Sequence, residues 1–232
     1  MISKKPKGII FDLNGTMIDD MNYHASAWSG ILNNDLNAGL SDEEVRRQMY
    51  GKNEEVLGRI FGKEYFSSEE LKEISIEKER RYQEAYLPHL KLIDGLPEFL
   101  AACKEKGLPM AIASAAITSN IDFVLDNLRI RQYFSAIVSA DDVQVSKPDP
   151  EVFLQAAKLL GLQPENCIVF EDAPKGVEAA LRAKMSSIVV LTTHSRKEFS
   201  FMPNVISMIN NYNDPMLVKL LAGDMGPWLT KT

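Results

Sequence analysis

The sequence predicts an α/β protein, a doubly wound parallel sheet with an all-helical segment inserted after its first strand. Three observations carry that reading. Short, continuous apolar runs recur along the chain, as strands buried on both faces require. From residue 88 onward they alternate with amphipathic helical stretches. Between the first run and the rest lies a long stretch with helix signals and nothing that reads as a strand.

The first strand is Gly8-Ile9-Ile10-Phe11-Asp12, apolar until Asp12 ends it. From about Asp19 to Tyr86 the texture turns helical and charge-rich. There Ser41-Asp42-Glu43-Glu44 and Ser67-Ser68-Glu69-Glu70 have capping-box spacing, which marks two helix starts. After Leu87-Pro88, strands are expected at Pro109–Ser114, Ala136–Ala140, Cys167–Glu171, Ser187–Leu191 and Val205–Ile209. Between them Ile121, Val124, Leu125 and Leu128 hold the i, i+3, i+4, i+7 spacing of a helix face, as do Phe153, Ala156, Ala157 and Leu160. The expected architecture is a Rossmann-like core over residues 1–18 and 88–232 with a helical cap over 19–87. The segment after Asn210 carries no motif and is expected to complete the cover of the sheet.

Composition narrows the partners. Of 232 residues, 45% are hydrophobic and 25% charged, proportions that support a sizeable core. A formal net charge of −6 argues against nucleic acid or an anionic membrane as partner, but leaves room for a phosphorylated metabolite. Cys103 and Cys167 form no metal-ligand pattern, and Cys167 opens an apolar run as a small buried hydrophobe. A disulfide is not expected, and a cytoplasmic setting fits. Met1–Lys7 is polar and basic, and the apolar run after it is too short for a signal peptide or a membrane span. No repeat, low-complexity segment or heptad stripe is present, so a monomer is the default.

In doubly wound sheets, ligands bind beyond the carboxyl ends of the strands. The first strand is followed by Asp12-Leu13-Asn14-Gly15-Thr16, and the second by Ser114 and Ala115. The strand that opens at Cys167 ends in Glu171 and Asp172, and Ser146-Lys147-Pro148-Asp149-Pro150 is a rigid turn carrying a lysine. These residue types suit phosphoryl transfer. A carboxylate can attack phosphorus, and attack by an anion on an anion needs neutralising charge. Mg²⁺ favours a few carboxylates, a carbonyl and waters, so Asp12, Asp172 and the Asn14 carbonyl are candidate ligands. Lys147 can pair with Asp12 and with phosphoryl oxygens, while Ser114 and nearby amides can donate to a phosphate.

On these residues the chain resembles the haloacid dehalogenase-like phosphatase superfamily, and within it the β-phosphoglucomutase-like branch. Four motifs stand in family order: Phe11-Asp12-Leu13-Asn14-Gly15-Thr16, then Ala113-Ser114-Ala115, then Ser146-Lys147-Pro148, then Glu171-Asp172 followed by Gly176. Tyr23-His24 and Trp28 after the first motif add to the likeness, which runs from about residue 8 to residue 195. The resemblance implies that Asp12 is the nucleophile, that Ser114 and Lys147 hold the transferring group, and that Asp172 binds Mg²⁺ with Glu171 beside it, directly or through a water. It implies a cap that closes and excludes water, a hinge histidine at His24, and a substrate-reaching lysine at Lys78. Thr16, Ala115 and Lys52 complete the expected substrate contacts. The implied substrate is a small phosphate ester, in particular a sugar phosphate.

Three positions depart from the family pattern. Asn14 stands where the family carries a second aspartate that protonates the leaving group and then activates water. Asparagine keeps the shape but cannot exchange a proton, and such help is worth roughly 10²–10⁴-fold in rate. Asn14 is open to three readings: an engineered trap, a natural replacement with His24 or a cap residue as acid, or a chain that binds without turnover. Asn-Gly also suits a tight turn by itself. In the run Gly51-Lys52-Asn53-Glu54-Glu55, a glutamate stands where related mutases bind a distal phosphate with arginine, which weighs against a mutase. Ile117 replaces a polar or basic residue.

Each candidate also has a plainer reading. Thr16 could cap a following helix, and Glu171-Asp172 could cap the helix that begins near Pro174. Asp20, in the pair Asp19-Asp20, reads as a solvated turn residue. His24 could be a packed helical histidine, Tyr23 and Trp28 cap packing, and Glu77-Lys78-Glu79-Arg80-Arg81 a solvated helix face.

Overall fold

The structure is a computed structural model that describes residues 5–224. The chain divides into two compact units, one built from its two ends, up to Asp19 and from Lys91, and the other from Asp20–Leu90.

The first unit contains a six-stranded parallel sheet in the order β3-β2-β1-β4-β5-β6, with β1 Gly8–Phe11, β2 Met110–Ala113, β3 Ala136–Val138, β4 Cys167–Glu171, β5 Ser186–Val190 and β6 Val205–Ile209. All six expected strands form, each within two residues of its expected ends. Helices α5 Leu96–Glu105, α6 Thr118–Asn127, α7 Glu151–Leu159, α8 Pro174–Arg182 and α9 Pro215–Ala222 accompany it; after Asn210, α9 buries Met216, Leu217, Leu220 and Leu221, and residues 225–232 of the expected cover lie outside the described residues. Strand order builds outward from β1 on one side through β2 and β3, then returns to pair β4 with β1 on the other. The crevice beyond β1 and β4 is thus the topological switch point where this class of sheet binds ligands.

Alternation along the central strands sends neighbouring residues to opposite faces. Ile10 pairs in register with Ala111 and Val169, and all three join Phe153, Ala156, Ala179 and Ala180 in one buried cluster. One residue on, Phe11 pairs with Phe170, and their rings stack at 5.1 Å. Phe99 and Phe134 meet Phe11 edge-on at 6.3 and 6.1 Å, and Tyr212 stacks on Phe170 at 5.5 Å. This aromatic layer lies directly beneath the strand end that carries Asp12.

The second unit is helical: α1 Met21–Ser29 continuing into a π-helical turn Gly30–Asp35, then α2 Asp42–Gln48, α3 Asn53–Phe61 and α4 Ser68–Tyr86. Both expected capping boxes form, with the Ser41 and Ser67 amides donating to Glu44 and Glu70 at 2.8 Å. Its core gathers Trp28, Ile31, Leu32, Val45, Val56 and Leu57, so Trp28 packs as expected. Among the described residues, no helix is long and apolar enough to cross a membrane. Cys103 and Cys167 are free and fully buried, and burial pushes their thiols up to about 12 and about 11.

Truncation of Phe11 to alanine would empty the centre of the aromatic layer. Phe11→Ala is expected to lower stability by about 3–5 kcal/mol, read as a shift of the urea unfolding midpoint at unchanged slope.

Candidate functional site

Beyond its last residue, β1 continues one step further along β4, where Asp12 N–H donates to the Phe170 carbonyl at 3.0 Å. That bond sets Asp12 beside the end of β4. Oxygens of Asp12, Glu171 and Asp172 lie within 4.8 Å of one another, and all three residues are buried. Lys147 enters from the turn Ser146–Asp149, which closes with Asp149 N–H donating to the Ser146 carbonyl at 3.1 Å and contains a cis Lys147–Pro148 peptide. Its ammonium donates to Asp12 Oδ1 at 2.6 Å and Glu171 Oε1 at 2.8 Å. It also lies 4.7 Å from the centre of the buried Phe153 ring, which shields it on one side.

The electrostatics follow from burial. Desolvation works against the Lys147 charge, but the carboxylates of Asp12 and Glu171 outweigh it and hold the ammonium above the ordinary lysine range. For Asp172, desolvation comes first and the charges of Glu171 and Asp12 second; together they push its carboxyl well above the usual value, against the pull of Thr193 and Lys147. Three carboxylates facing one ammonium leave a surplus of negative charge, with hard oxygen donors converging on one point. That donor set fits a divalent cation such as Mg²⁺.

The loops are shaped around these groups. In the turn Leu13–Thr16, Thr16 N–H donates to the Leu13 carbonyl at 3.3 Å and Gly15 holds φ +72°. A Cβ at Gly15 would stand 2.2 Å from Asp172 Oδ2, so both the backbone and the carboxylate require glycine. A Cβ at Gly176 would stand 1.7 Å from Glu171 Oε1. Glu171 Oε2 accepts from the amides of Asp172 and Ala173 at 2.8 and 2.7 Å.

Several expected roles change. Thr16 caps no helix: α1 begins at Met21, and the Thr16 hydroxyl donates to Asp172 Oδ1 at 3.2 Å. Glu171 and Asp172 do not cap α8, whose N-cap is Ala173; Glu171 ties the loop before the helix instead. Asn14 sits half-buried in the Leu13–Thr16 turn, as its turn chemistry suggests. Ser114 is buried at the end of β2, its hydroxyl accepting from the Ala116 amide at 3.1 Å, with Ala115 exposed between them.

His24, Lys52 and Lys78 belong to the second unit. The run Glu77–Arg81 is not one solvated face. Glu77, Arg80 and Arg81 form outer ion pairs, whereas Lys78 and Glu79 are buried, because Lys78, Tyr82 and Tyr86 share the inward stripe of α4 at i, i+4, i+8. Lys78 donates to both oxygens of Glu79 at 3.0 Å and lies 2.8 Å from His24 Nδ1, and Asn53 donates to Glu79 Oε1 at 2.8 Å. Desolvation lowers the Lys78 pKa despite Glu79. Asp20 is likewise no solvated turn residue. It is fully buried, accepts from the Tyr82 hydroxyl at 2.6 Å and lies 3.3 Å from His24 Nε2, and His24 stacks on Tyr82 at 3.7 Å. The Lys52 amide, at the start of α3, donates to Glu55 at 3.1 Å.

Four site residues escaped the sequence reading. Thr193 donates to Asp172 Oδ2, Thr192 to the Gly15 carbonyl, and Tyr212 to the Thr16 carbonyl at 3.0 Å; His194 lies 2.8 Å from the Thr193 hydroxyl. Thr192 and Thr193 follow the end of β5 and Tyr212 follows β6, so the strand-end rule that singled out Asp12 also reaches them.

Comparison with known proteins finds relatives over most of the chain. The family model described as haloacid dehalogenase-like hydrolase matches residues 9–190. The chain is 32% identical to β-phosphoglucomutase of Bacillus subtilis, over 79% of this chain and 83% of that protein. It is 29% identical to fructose-1-phosphate phosphatase of Escherichia coli, over 79% of this chain and 95% of that one. A crystal structure of β-phosphoglucomutase from Clostridium difficile superposes with a TM-score of 0.80 at 26% identity, covering 93% of this chain and 96% of that one.

Replacing Lys147 with methionine keeps its volume and leaves the carboxylates facing each other. Lys147→Met is expected to cost about 3–5 kcal/mol in metal-free buffer. The Asp172 carboxyl titrates above its unfolded value in the fold, so its ionisation opposes folding. The loss should therefore be larger at pH 8 than at pH 5, measured by urea unfolding with EDTA at both pH values.

Proposed function

The chain belongs to the haloacid dehalogenase-like hydrolases, and on that premise we propose that it is a Mg²⁺-dependent phosphatase acting on a small phosphate ester, in particular a sugar phosphate, through an aspartyl phosphate on Asp12. The observation that carries this reading is the buried Asp12–Lys147–Glu171 arrangement at the switch point, with Asp172 alongside.

Each residue then has a chemical task. Lys147 aims Asp12 by donating to its Oδ1. An oxygen of Asp12 attacks phosphorus as the P–O bond to the substrate alcohol breaks, and the leaving oxygen takes up a proton from water, which the hydrolytic step returns to solvent. Water then attacks the phosphorus and releases inorganic phosphate and free Asp12. Lys147 and Ser114 steady the transferring group's oxygens, with the Ala115 backbone beside them. Asp12, Asp172 and the Asn14 carbonyl would hold Mg²⁺, with Glu171 directly or through a water, and the ion would neutralise charge between nucleophile and phosphate. Asn14 occupies the place of the proton carrier and can only hydrogen-bond. The helical unit takes the part of the family's cap, and by the family likeness His24, Lys52 and Lys78 are its candidates for contact with substrate. The two free buried thiols fit a reducing compartment such as the cytoplasm, the mild negative charge argues against nucleic acid or an anionic membrane as partner, and with no heptad or long apolar stripe in the sequence a monomer is the default.

A second reading is a sugar phosphate mutase, favoured by the 32% identity to the Bacillus subtilis enzyme. Glu54, exposed on α3 where the mutase pattern expects arginine, favours hydrolysis.

Phosphate release should be measured against a panel of sugar phosphates with Mg²⁺ and with EDTA. Release is expected with Mg²⁺ alone, and Asp12→Ala should abolish it; retained activity in that variant rules out the aspartyl phosphate. Conversion of β-glucose 1-phosphate to glucose 6-phosphate in place of release would establish the mutase instead. Asn14→Asp is expected to raise the rate about 10²–10⁴-fold. An unchanged rate would show that another group, such as His24, already supplies the proton.

A further inference from the structure

Behind Asp172 runs a short hydrogen-bonded chain that the proposed reaction leaves unused. Thr193 Oγ1 donates to Asp172 Oδ2 and lies 2.8 Å from His194 Nδ1. A threonine hydroxyl has one hydrogen. With that hydrogen on Asp172, Oγ1 offers only lone pairs to the imidazole, and the 2.8 Å contact requires an N–H at Nδ1.

The ring is held in place for this contact. His194 is half-buried and meets Phe199 edge-on at 6.2 Å, and Phe199 is itself buried with Val177 of α8 and Val189 of β5. The segment after it is closed by Glu198, which accepts from the Ser195 amide and hydroxyl at 2.8 and 2.9 Å. Thr193 is fixed on its other side too: its methyl lies 3.1 Å from where a Cβ on Gly15 would stand, so the nucleophile turn and the Thr193 side chain pack together. An imidazole that served only to pack against Phe199 would need no N–H aimed at a hydroxyl.

We propose that His194 is a positioning residue that acts through Thr193: the relay His194 Nδ1–H to Thr193 Oγ1–H to Asp172 Oδ2 orients the Asp172 carboxylate for a divalent cation. The inference rests on the reading of Asp172 as a Mg²⁺ ligand. Its physical basis is that Mg²⁺ tolerates little departure from octahedral geometry, so a ligand oxygen locked by a hydrogen-bonded partner binds it more tightly than one free to rotate. Two bonds in series also polarise each other, so the outer N–H strengthens the inner O–H donation.

The test is Mg²⁺ binding to EDTA-stripped protein by isothermal titration calorimetry, paired with metal-free melting curves. Thr193→Val is expected to weaken binding about 10–100-fold. His194→Ala, one bond further out, should weaken it about twofold to tenfold. His194→Asn should restore binding to near that of the parent, since its amide N–H takes the place of Nδ1–H. Binding by His194→Ala equal to the parent's would overturn the proposal, as would a His194→Asn variant that binds no better than His194→Ala. If His194→Ala also melts lower without metal, the asparagine variant decides, because it restores the donor and not the packing against Phe199. A parent protein that binds no Mg²⁺ would instead bring down the assignment of Asp172 as a ligand, which is a different failure.

Discussion

Carboxylates brought together in a protein interior repel each other and lose their hydration, so they persist only where a cation answers them. Here Lys147 answers from the chain itself, reaching Asp12 across 135 residues of sequence and bonding Glu171 with the same ammonium. The rest of the core unit is arranged to make that contact possible. The aromatic layer of Phe11, Phe99, Phe170 and Tyr212 supports the strand end, the β1–β4 pairing brings Asp12 to Asp172, and the Ser146–Asp149 turn delivers the lysine. A single ammonium leaves negative charge over, and that surplus is the physical reason the cluster suits a cation and a phosphate together.

Close packing around the acids costs side chains. Gly15 and Gly176 lie where any Cβ would collide with Asp172 or Glu171, so the loops approach the acids with backbone alone. Hydroxyls then take up the remaining acceptor sites: Thr16 on Asp172 Oδ1, Thr193 on Asp172 Oδ2. The result is a set of carboxylates with fixed orientation, which favours chemistry that needs little rearrangement once charge develops. The second unit contains its own buried ionic network of Asp20, His24, Lys78 and Glu79, closed by Tyr82 and Asn53. A buried network of this kind is weak evidence for stability; its value lies in tolerating one arrangement of α1 against α4.

The strands were legible because their code is local. A run such as Cys167-Ile168-Val169-Phe170 can hardly be anything but a strand covered on both faces, and the capping boxes at Ser41 and Ser67 specify helix starts within four residues. Asp12, Glu171 and Asp172 were legible for a related reason: the topology rule turns each strand end into a candidate, and the residue types there are rare in apolar surroundings; Lys147 stood out by its Pro-flanked turn. Asp20 and Lys78 were not. Each looks solvated among its sequence neighbours, and each is buried because of a partner on another helix, 62 residues away for Asp20 and 54 for Lys78.

By itself, then, the sequence determined the alternation of strands and helices, the inserted helical stretch, the acids and hydroxyls at three strand ends and the lysine in its Pro-flanked turn, since all of these are written in periodicity and in residue type at fixed local spacing. The likeness to the family implies in addition that Asn14 stands where a proton carrier is expected. Only the tertiary structure decided which charges are shared: that Lys147 bridges Asp12 and Glu171, that Thr16 serves Asp172 rather than a helix end, and that Thr193 and His194 stand behind the same carboxylate. Those facts depend on which strand ends meet in space. Pairing across a sheet is settled by the packing of the whole core, and no local stretch of the chain encodes it.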